Sequence, residues 1–258
     1  MGEPIRVLHI LQRMEAGGTQ ALLMNIYRKI DRTKVQFDFW VVYKEKQFYD
    51  DEIESMGGHV YKLSFREDLN LPKFQKDLKN FFKQHHEYQI VHCHAYTIGY
   101  FCLKAAKKAG IPVRIAHSHN NETVHDIKYL PKLFMQRLFT LNATDLFACS
   151  EEAGKYLFKD KPFRVLKNAI DSQQFIANEN TRREVRQELG LENKFVVGHV
   201  GRLHPQKNHD FLIDVFAEIK KKQPDAELIL VGTGPQVQPA LPAFPDTLPC
   251  RQRPIQRR

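Results

Sequence analysis

The chain has 258 residues, of which 42% are hydrophobic and 27% are charged, and its formal net charge at pH 7 is +9. This composition argues against a disordered chain, and no apolar run approaches the roughly 18 residues that a membrane-spanning helix needs. The positive charge favours an anionic partner, but the lysines are spread over predicted helices without interleaved aromatic residues, so nucleic acid is not an expected partner.

Short apolar strands alternate with amphipathic helices from the N-terminus onward. The predicted strands are 5–11, 35–43, 59–63, 90–93, 113–116, 146–148 and 165–166, and the predicted helices are 19–30, 50–56, 72–84, 98–109, 133–141 and 150–158. Thr19 and Ser150 are the predicted N-caps of two of these helices. Repeated strand–helix–strand units predict an α/β fold with a parallel sheet covered by helices on both faces. Ligands of such folds bind at the carboxyl ends of the strands.

The composition divides the chain into four regions: a first Rossmann-like domain (1–172), a polar linker with a helix (173–194), the start of a second α/β domain (195–235) and a proline- and arginine-rich tail (236–258). Thr181 and Glu184 have the spacing of a capping box in the linker helix. Strands 195–200 and 227–231 flank helix 209–222 in the second domain. The tail is predicted to be disordered because proline at this density blocks backbone hydrogen bonding. An out-of-frame end and a proline-rich interaction tail both remain open.

The four cysteines contain no Cys-x-x-Cys pair, and they are Cys93, Cys102, Cys149 and Cys250. Scattered cysteines in apolar segments are typical of reduced core residues. The N-terminus lacks the basic and apolar regions of a secretory signal. Both observations predict a cytoplasmic protein.

Two segments have the chemistry of an anion site. Gly17 and Gly18 follow the first strand, where glycine lets the backbone approach a ligand and the helix N-terminus offers free amides. The pattern is neither Gly-x-Gly-x-x-Gly nor a P-loop, and a plain glycine turn is the alternative. Arg202 and Lys207 bracket the start of helix 209–222. A guanidinium fork and an ammonium group together predict a diphosphate site.

Two His-x-His pairs, His92/His94 and His117/His119, lie at strand ends. Residues i and i+2 of a strand share a face, so each pair could offer two imidazoles to a metal, as in a metal hydrolase. No Asp or Glu lies within two residues of either pair. The favoured interpretation is therefore that these histidines line a cleft and hold no metal.

The segments VGHVGRLHPQKN (197–208) and LILVGTGP (228–235) resemble the large retaining glycosyltransferase family 4, the group 1 transferases of bacterial capsular and exopolysaccharide assembly. The Gly17–Gly18 loop, the HSHN strand end (117–120) and the KNAID segment (167–171) are similar to the same family. The resemblance covers roughly residues 5–235.

This resemblance implies a GT-B fold, in which an acceptor-side Rossmann-like domain and a nucleotide-sugar-binding domain face a cleft. It implies transfer of a hexose, with retention, from a nucleotide diphosphate-sugar to a saccharide or lipid-linked acceptor in polysaccharide biosynthesis, without a metal or other cofactor. By the same resemblance Arg202, Lys207, Gly17 and Gly18 contact the donor diphosphate, and His119 acts at the transferred sugar. The implied cleft and interdomain residues are Asn120, Asn168 and Asp171.

The chain departs from the family pattern after Gly234, where the family has a Glu-x7-Glu motif that grips the donor. Asp246 is the only acid of this region. We therefore expect a C-terminally truncated and impaired enzyme, with a non-catalytic fragment as the alternative.

The segment around helix 133–141 combines Lys128, Lys132 and Arg137 with Leu130 and Phe134. A lipid-linked acceptor would place such a patch against the anionic inner face of a membrane. Peripheral membrane contact and an ordinary domain helix are both open for it.

Overall fold

The structure, a computed structural model, describes residues 2–63, 70–120, 129–232 and 250–253. The chain divides into two compact units, Met1–Ser172 and Gln173–Arg258. The division falls where the predicted linker begins.

The first unit contains a parallel sheet of seven strands in the order β3-β2-β1-β4-β5-β6-β7. The strands are β1 Ile5–Ile10, β2 Val35–Val41, β3 Val60–Lys62, β4 Tyr88–Cys93, β5 Val113–Ser118, β6 Asp145–Ala148 and β7 Arg164–Val165. The helices are α1 Gly18–Lys29, α2 Asp50–Ser55, α3 Leu71–Gln84, α4 Tyr96–Lys108, α5 Tyr129–Phe139 and α6 Glu151–Phe158. The predicted alternation of strands and helices is confirmed.

Two separate apolar cores cover the two faces of this sheet. Leu8 and Ile10 of β1 pack in one core with residues of α3, α4 and α6. Val7 and Leu11 pack in the other core with residues of α1 and α2. Because successive residues of a strand point to opposite faces, this division confirms the prediction of helices on both faces.

The predicted helix N-caps have mixed outcomes. The Ser150 hydroxyl accepts a hydrogen bond from the Ala153 amide, which confirms it as the cap of α6. The prediction for Thr19 is wrong: α1 begins at Gly18, because the Gly17 carbonyl already accepts the first helical bond from Ala21. No side chain caps that end.

The second unit contains a parallel sheet of three strands in the order β10-β9-β8. Its elements are α7 Glu179–Leu189, β8 Phe195–Val200, α8 His209–Lys222, β9 Ala226–Val231 and β10 Cys250–Arg253. The predicted capping box is wrong, since the side chain of Asn178 accepts from the Asn180 and Thr181 amides and starts α7 earlier.

Most of the tail that was predicted to be disordered, 236–258, lies outside the described residues. Its described part contradicts that prediction, because Cys250–Arg253 form a strand in parallel register with β9. The physical reason is the spacing of the prolines. These four residues lie between Pro249 and Pro254 and contain no proline, so all four amides can donate hydrogen bonds.

Candidate functional site

Five histidines meet at the carboxyl ends of the neighbouring strands β1, β4 and β5. In the sheet register His9 lies beside His92, and His117 lies two residues after Ile115, which is the partner of His92. Alternate residues of a strand share a face, so His94 and His119 continue the same side just beyond the strands. We call His9, His92, His94, His117 and His119 the histidine cluster.

Three hydrogen bonds join the rings of the histidine cluster. His94 Nδ1 lies 2.7 Å from His119 Nε2, and His94 Nε2 lies 3.2 Å from His9 Nδ1. His92 Nε2 lies 3.0 Å from His117 Nδ1. The rings thus form a chain of three, His9–His94–His119, and a separate pair.

Burial keeps these imidazoles neutral. It lowers the pKa of His9 to about 3 and that of His119 to about 4, against 6.5 for an ordinary histidine. Burial, followed by the neighbouring rings, lowers the pKa of His117 to about 2. The pKa values of His92 and His94 are also well below 6.5 for the same reasons. At neutral pH the cluster is a set of neutral groups that each offer one donor and one acceptor.

In a chain of three neutral rings, both hydrogen bonds must run in the same direction from donor to acceptor. That direction fixes the tautomer of each ring. If the His119 Nε2–H donates to His94, the His94 Nε2–H must donate to His9. The two chain ends, His119 Nδ1 and His9 Nε2, are buried and have no hydrogen-bond partner in the described part of the chain. The backbone amide of His119 donates to the Tyr96 hydroxyl at 2.9 Å. His119 is therefore held from two sides while one ring nitrogen stays unused.

The cluster could also be considered as a metal centre. The donor atoms of His9, His92 and His94 lie within 4.8 Å of one another, as do those of His94, His117 and His119. However, within the described ranges no carboxylate is hydrogen-bonded to any of these rings, whereas metal-bound imidazoles usually have such a partner. Both nitrogens of His94 already face other imidazoles at hydrogen-bond distance. The geometry favours the hydrogen-bonded neutral cluster.

The Gly17–Gly18 turn leads from β1 into α1. The backbone of Gly17 is extended, and the first turn of α1 contains no acidic residue. A Cβ atom at Gly18 would have no heavy atom within 4 Å, whereas one at Gly17 would lie 2.6 Å from Gln20 Oε1. The amides at this helix end thus lack a side-chain cap, and the space beside Gly18 is open.

The predicted cleft residues occupy two places in the first unit. Asp171 forms an ion pair with Lys29 of α1 at 2.8 Å, and Asn25 of α1 donates to the Ala169 carbonyl at 3.4 Å. Asn168 is exposed in the same segment. Asn120 is exposed and directly follows His119. The structure brings Asn120 next to the histidine cluster and the segment 169–171 next to α1.

The predicted cations lie on one loop after β8 in the second unit. Arg202 and Lys207 are both exposed, and Lys207 Cε lies 3.7 Å from the position that a Cβ atom at Gly201 would take. A Cβ atom at Gly232 would lie only 1.8 Å from the Gly201 carbonyl oxygen. Two glycines therefore let the ends of β8 and β9 approach each other closely, and the Lys207 side chain lies near this approach. The predicted approach of Gly17 and Gly18 to this loop stays a prediction.

His9 is a cluster member that the sequence reasoning missed. It is a lone histidine in an apolar strand, so its pattern is that of an ordinary core residue. The available signal was its position: His9, His92 and His117 each stand one residue before the end of their strand.

The predicted membrane patch is described in part. Leu130 and Phe134, one helical turn apart on α5, are 74% and 61% exposed. Arg137 is exposed as well. Lys128 and the side chain of Lys132 lie outside the described residues. None of the described helices combines the length and apolarity that crossing a bilayer requires.

Comparison with known structures first defines the class of fold. The crystal structure of Anabaena HepE in complex with UDP-glucose has a TM-score of 0.73 and 18% identity over 96% of this chain and 68% of that chain. The lipopolysaccharide outer core galactosyltransferase WaaB has a TM-score of 0.59 and 15% identity over 97% of this chain and 68% of that chain. The predicted GT-B fold is confirmed.

The family follows from sequence comparison. The model of "Glycosyltransferase Family 4" matches residues 16–174, and that of "Glycosyl transferases group 1" matches residues 181–240. The chain belongs to glycosyltransferase family 4, as its motifs predicted.

Curated relatives are similar over most of the chain. A putative glycosyltransferase EpsF of Bacillus subtilis is 36% identical over 89% of this chain, and the capsular polysaccharide biosynthesis glycosyltransferase CapH of Staphylococcus aureus is 26% identical over 88%. An Escherichia coli UDP-Gal:alpha-D-GlcNAc-diphosphoundecaprenol alpha-1,3-galactosyltransferase is 26% identical over 89%. The chain spans 62% of the length of each of these relatives.

Proposed function

We propose that this chain is part of a polysaccharide-biosynthesis glycosyltransferase that transfers a hexose, with retention, from a nucleotide diphosphate-sugar to a saccharide or lipid-linked acceptor. Family membership supports this proposal. So do the names of relatives, which include capsular polysaccharide enzymes and one that acts on a diphosphoundecaprenol acceptor. The observation that carries it is the segment after β8, where the exposed Arg202 and Lys207 follow Gly201, which packs closely against Gly232.

In this proposal the second unit binds the donor diphosphate. The Arg202 guanidinium can donate two parallel hydrogen bonds to phosphate oxygens, and the Lys207 ammonium adds a second charge. Negative charge grows on the leaving diphosphate during transfer, so fixed cations stabilise the transition state more than the ground state. The free amides at Gly17 and Gly18 provide further donors for the same anion. No metal is required for this role.

The first unit contributes His119 as the proposed group at the transferred sugar. Its ring is neutral at physiological pH because burial lowers its pKa to about 4. It therefore serves as a hydrogen-bond partner of a sugar hydroxyl and does not act as a cation. Its buried Nδ1 atom has no hydrogen-bond partner in the described part of the chain, so a sugar hydroxyl that reached it would satisfy it. His94 and His9 hold the tautomer and orientation of the ring through their hydrogen bonds.

Titration of the chain with UDP, GDP and ADP tests the donor site. We expect binding of at least one nucleoside diphosphate, and a roughly tenfold or larger rise in Kd for Arg202→Gln and for Lys207→Gln, since each removes a charge-assisted hydrogen bond. Lys222→Gln is the matched control, because it removes the same charge at an exposed site of the second unit. If no nucleoside diphosphate binds even at millimolar concentration, the proposed donor site is refuted. Binding without sugar transfer would instead support the non-catalytic alternative.

Because the proposed acceptor is linked to a lipid, we expect the protein to act at the cytoplasmic face of a membrane. A protein there acts without a span of its own when a basic and apolar surface contacts the lipids. The exposed Leu130 and Phe134 of α5 support such a contact.

A further inference from the structure

A groove of about 720 Å³ lies between helices α3 and α4 of the first unit. Apolar side chains form part of its lining: Leu78 and Phe82 of α3 are buried, and Phe101 of α4 is half-buried. The remaining lining is dominated by lysines, which are Lys76, Lys79, Lys83, Lys104 and Lys108. We call this site the lysine groove.

The lysines form two rows on facing helices. Lys76, Lys79 and Lys83 are spaced three and four residues apart on α3, and Lys104 and Lys108 are four apart on α4. Residues at these spacings share one side of a helix. Each row therefore lies along the groove, and the two rows flank the same space.

No acid neutralises these charges in the described structure. The only acidic residue of α3, Asp77, pairs with Lys73 at 2.9 Å, and α4 contains no acid. Lys104 contacts the phenol of Tyr100. Within the described ranges the other groove lysines have no ion-pair partner. Five like charges around one groove repel one another, and an anionic ligand would relieve that repulsion.

We propose that the lysine groove binds the phosphate group of an anionic membrane lipid, whose first acyl carbons pack against the half-buried Phe101 and Ala105 of α4. Charge complementarity selects a phosphate, and the apolar lining fits hydrocarbon rather than water. A soluble phosphate would gain nothing from the apolar lining. A single-stranded nucleic acid would need exposed rings for stacking, whereas Phe82 is only 2% exposed.

Helix α5 provides an independent observation that points to the same partner. It packs against α4, which forms one wall of the groove. Leu130 and Phe134 are exposed on it. Exposed large apolar side chains and unpaired lysines on neighbouring helices are a combination that binds the interface of an acidic bilayer. This proposal does not depend on sugar transfer, so vesicle binding and nucleotide binding can succeed or fail separately.

The test is flotation of the full chain with vesicles of phosphatidylcholine, with and without phosphatidylglycerol. We expect binding only when the acidic lipid is present. The triple variant Lys79→Gln/Lys83→Gln/Lys104→Gln should raise the lipid concentration for half-maximal binding by on the order of a hundredfold, because each lysine at an anionic surface contributes roughly fivefold. All three lysines are exposed, and a circular dichroism spectrum checks that the variant folds.

The matched control is Lys107→Gln/Lys155→Gln/Lys222→Gln, which removes the same charge at exposed lysines that do not line the groove. We expect a change below about threefold, because these lysines do not line the groove and salt screens exposed charges that make no direct contact with the lipid. An equal loss in both triple variants would overturn the proposal, since binding would then depend on net charge alone.

Two further arms separate the sources of the phosphate. Free inorganic phosphate at millimolar concentration should leave vesicle binding nearly unchanged, and displacement by it would show a soluble-anion site instead. Leu130→Ser/Phe134→Ser should weaken vesicle binding without changing its need for acidic lipid. Failure of the wild-type chain to float with acidic vesicles would refute the proposal, whatever the outcome of the UDP titration.

Discussion

The two units place different kinds of polar group at the carboxyl ends of their strands. The first unit has apolar cores on both faces of its sheet and buries neutral imidazoles there. Among the described residues of the second unit, one smaller apolar cluster has the four buried members Phe216, Ala226, Leu228 and Leu230, and the cations Arg202 and Lys207 are exposed. The comparison teaches that a large core can hold buried neutral groups in one geometry. Exposed cations, in contrast, stay hydrated and need no large core around them.

The largest expected effect is acid unfolding of the first unit. Its buried histidines have pKa values lowered by burial, to about 3 for His9 and about 2 for His117. Between pH 6.5 and these values the unfolded chain binds more protons, so stability is complete above pH 6.5 and is lost as the pH falls. Each such histidine removes about 1.4 kcal/mol per pH unit. Their combined loss is comparable with the roughly 5–15 kcal/mol that stabilises a typical domain.

Urea unfolding at pH 7.5, 6 and 5 measures this loss through Trp40, the single tryptophan, which is buried in the first unit. His117→Leu should flatten the pH dependence by about one proton. The exposed His86, changed to Gln, is the control and should leave the slope unchanged. A stability that is level from pH 7.5 to 5 would contradict the buried, neutral cluster.

The next largest expected effect is the loss of folding stability when one buried ring is removed from the core of each unit. Phe74→Ala in the first unit and Phe216→Ala in the second each remove a fully buried ring and should each cost about 3–5 kcal/mol. Phe74 packs on Trp40 with ring centroids 5.8 Å apart. Phe74→Ala should therefore shift the fluorescence transition of Trp40. Phe216→Ala should unfold the small second unit and leave that transition in place.

Circular dichroism in the same urea series follows both units at once. With Phe216→Ala it should show an early loss of helix that Trp40 does not report. Coincident shifts of both probes would show that the units unfold as one, and the comparison between a large and a small core would then fail.

The smallest effect concerns the orientation of His119 and rests on the proposed function. His94→Phe keeps a ring but removes the hydrogen bonds to His119 and His9. We expect kcat of sugar transfer to fall about tenfold, a cost near 1.4 kcal/mol, with little change in KM for the donor. His94→Gln keeps hydrogen-bonding groups and should recover part of the loss.

His92→Phe is the matched control, because His92 bonds to His117 outside the chain of three rings. An equal loss of kcat in His92→Phe and His94→Phe would point to a general disturbance of the cluster. It would then speak against a specific role of His94 in positioning His119.

Local patterns predicted most of the secondary structure because the apolar periodicity of each segment is strong. Segments such as IRVLHI are an example, because their apolar pattern indicates a strand without information from the rest of the chain. The caps at Thr19 and Thr181 were wrong because several neighbouring groups compete to start a helix. Gly17 caps α1 through its extended backbone, and Asn178 caps α7 because its side-chain amide oxygen accepts hydrogen bonds from the first turn.

Four of the five cluster histidines were singled out from the sequence, but His9 was missed and the arrangement of the rings was not predictable. His9 and His94 are 85 residues apart, and only the strand order β1-β4-β5 makes them neighbours. In the sequence, the lysines of α4 are visible only as part of a charge that is spread over several predicted helices. Their grouping with those of α3 depends on helix packing, which single-segment patterns do not encode.

Strand β8 has β9 as its only partner in the described part of the second sheet. Its other backbone edge has no strand partner among the described residues, and the side chains of Phe195 and Val200, at the two ends of the strand, are exposed. Such an edge is a template on which a second molecule can add a strand. Self-association along β8 would grow with protein concentration, so the choice between dilute and concentrated samples decides whether an experiment observes one molecule or an assembly.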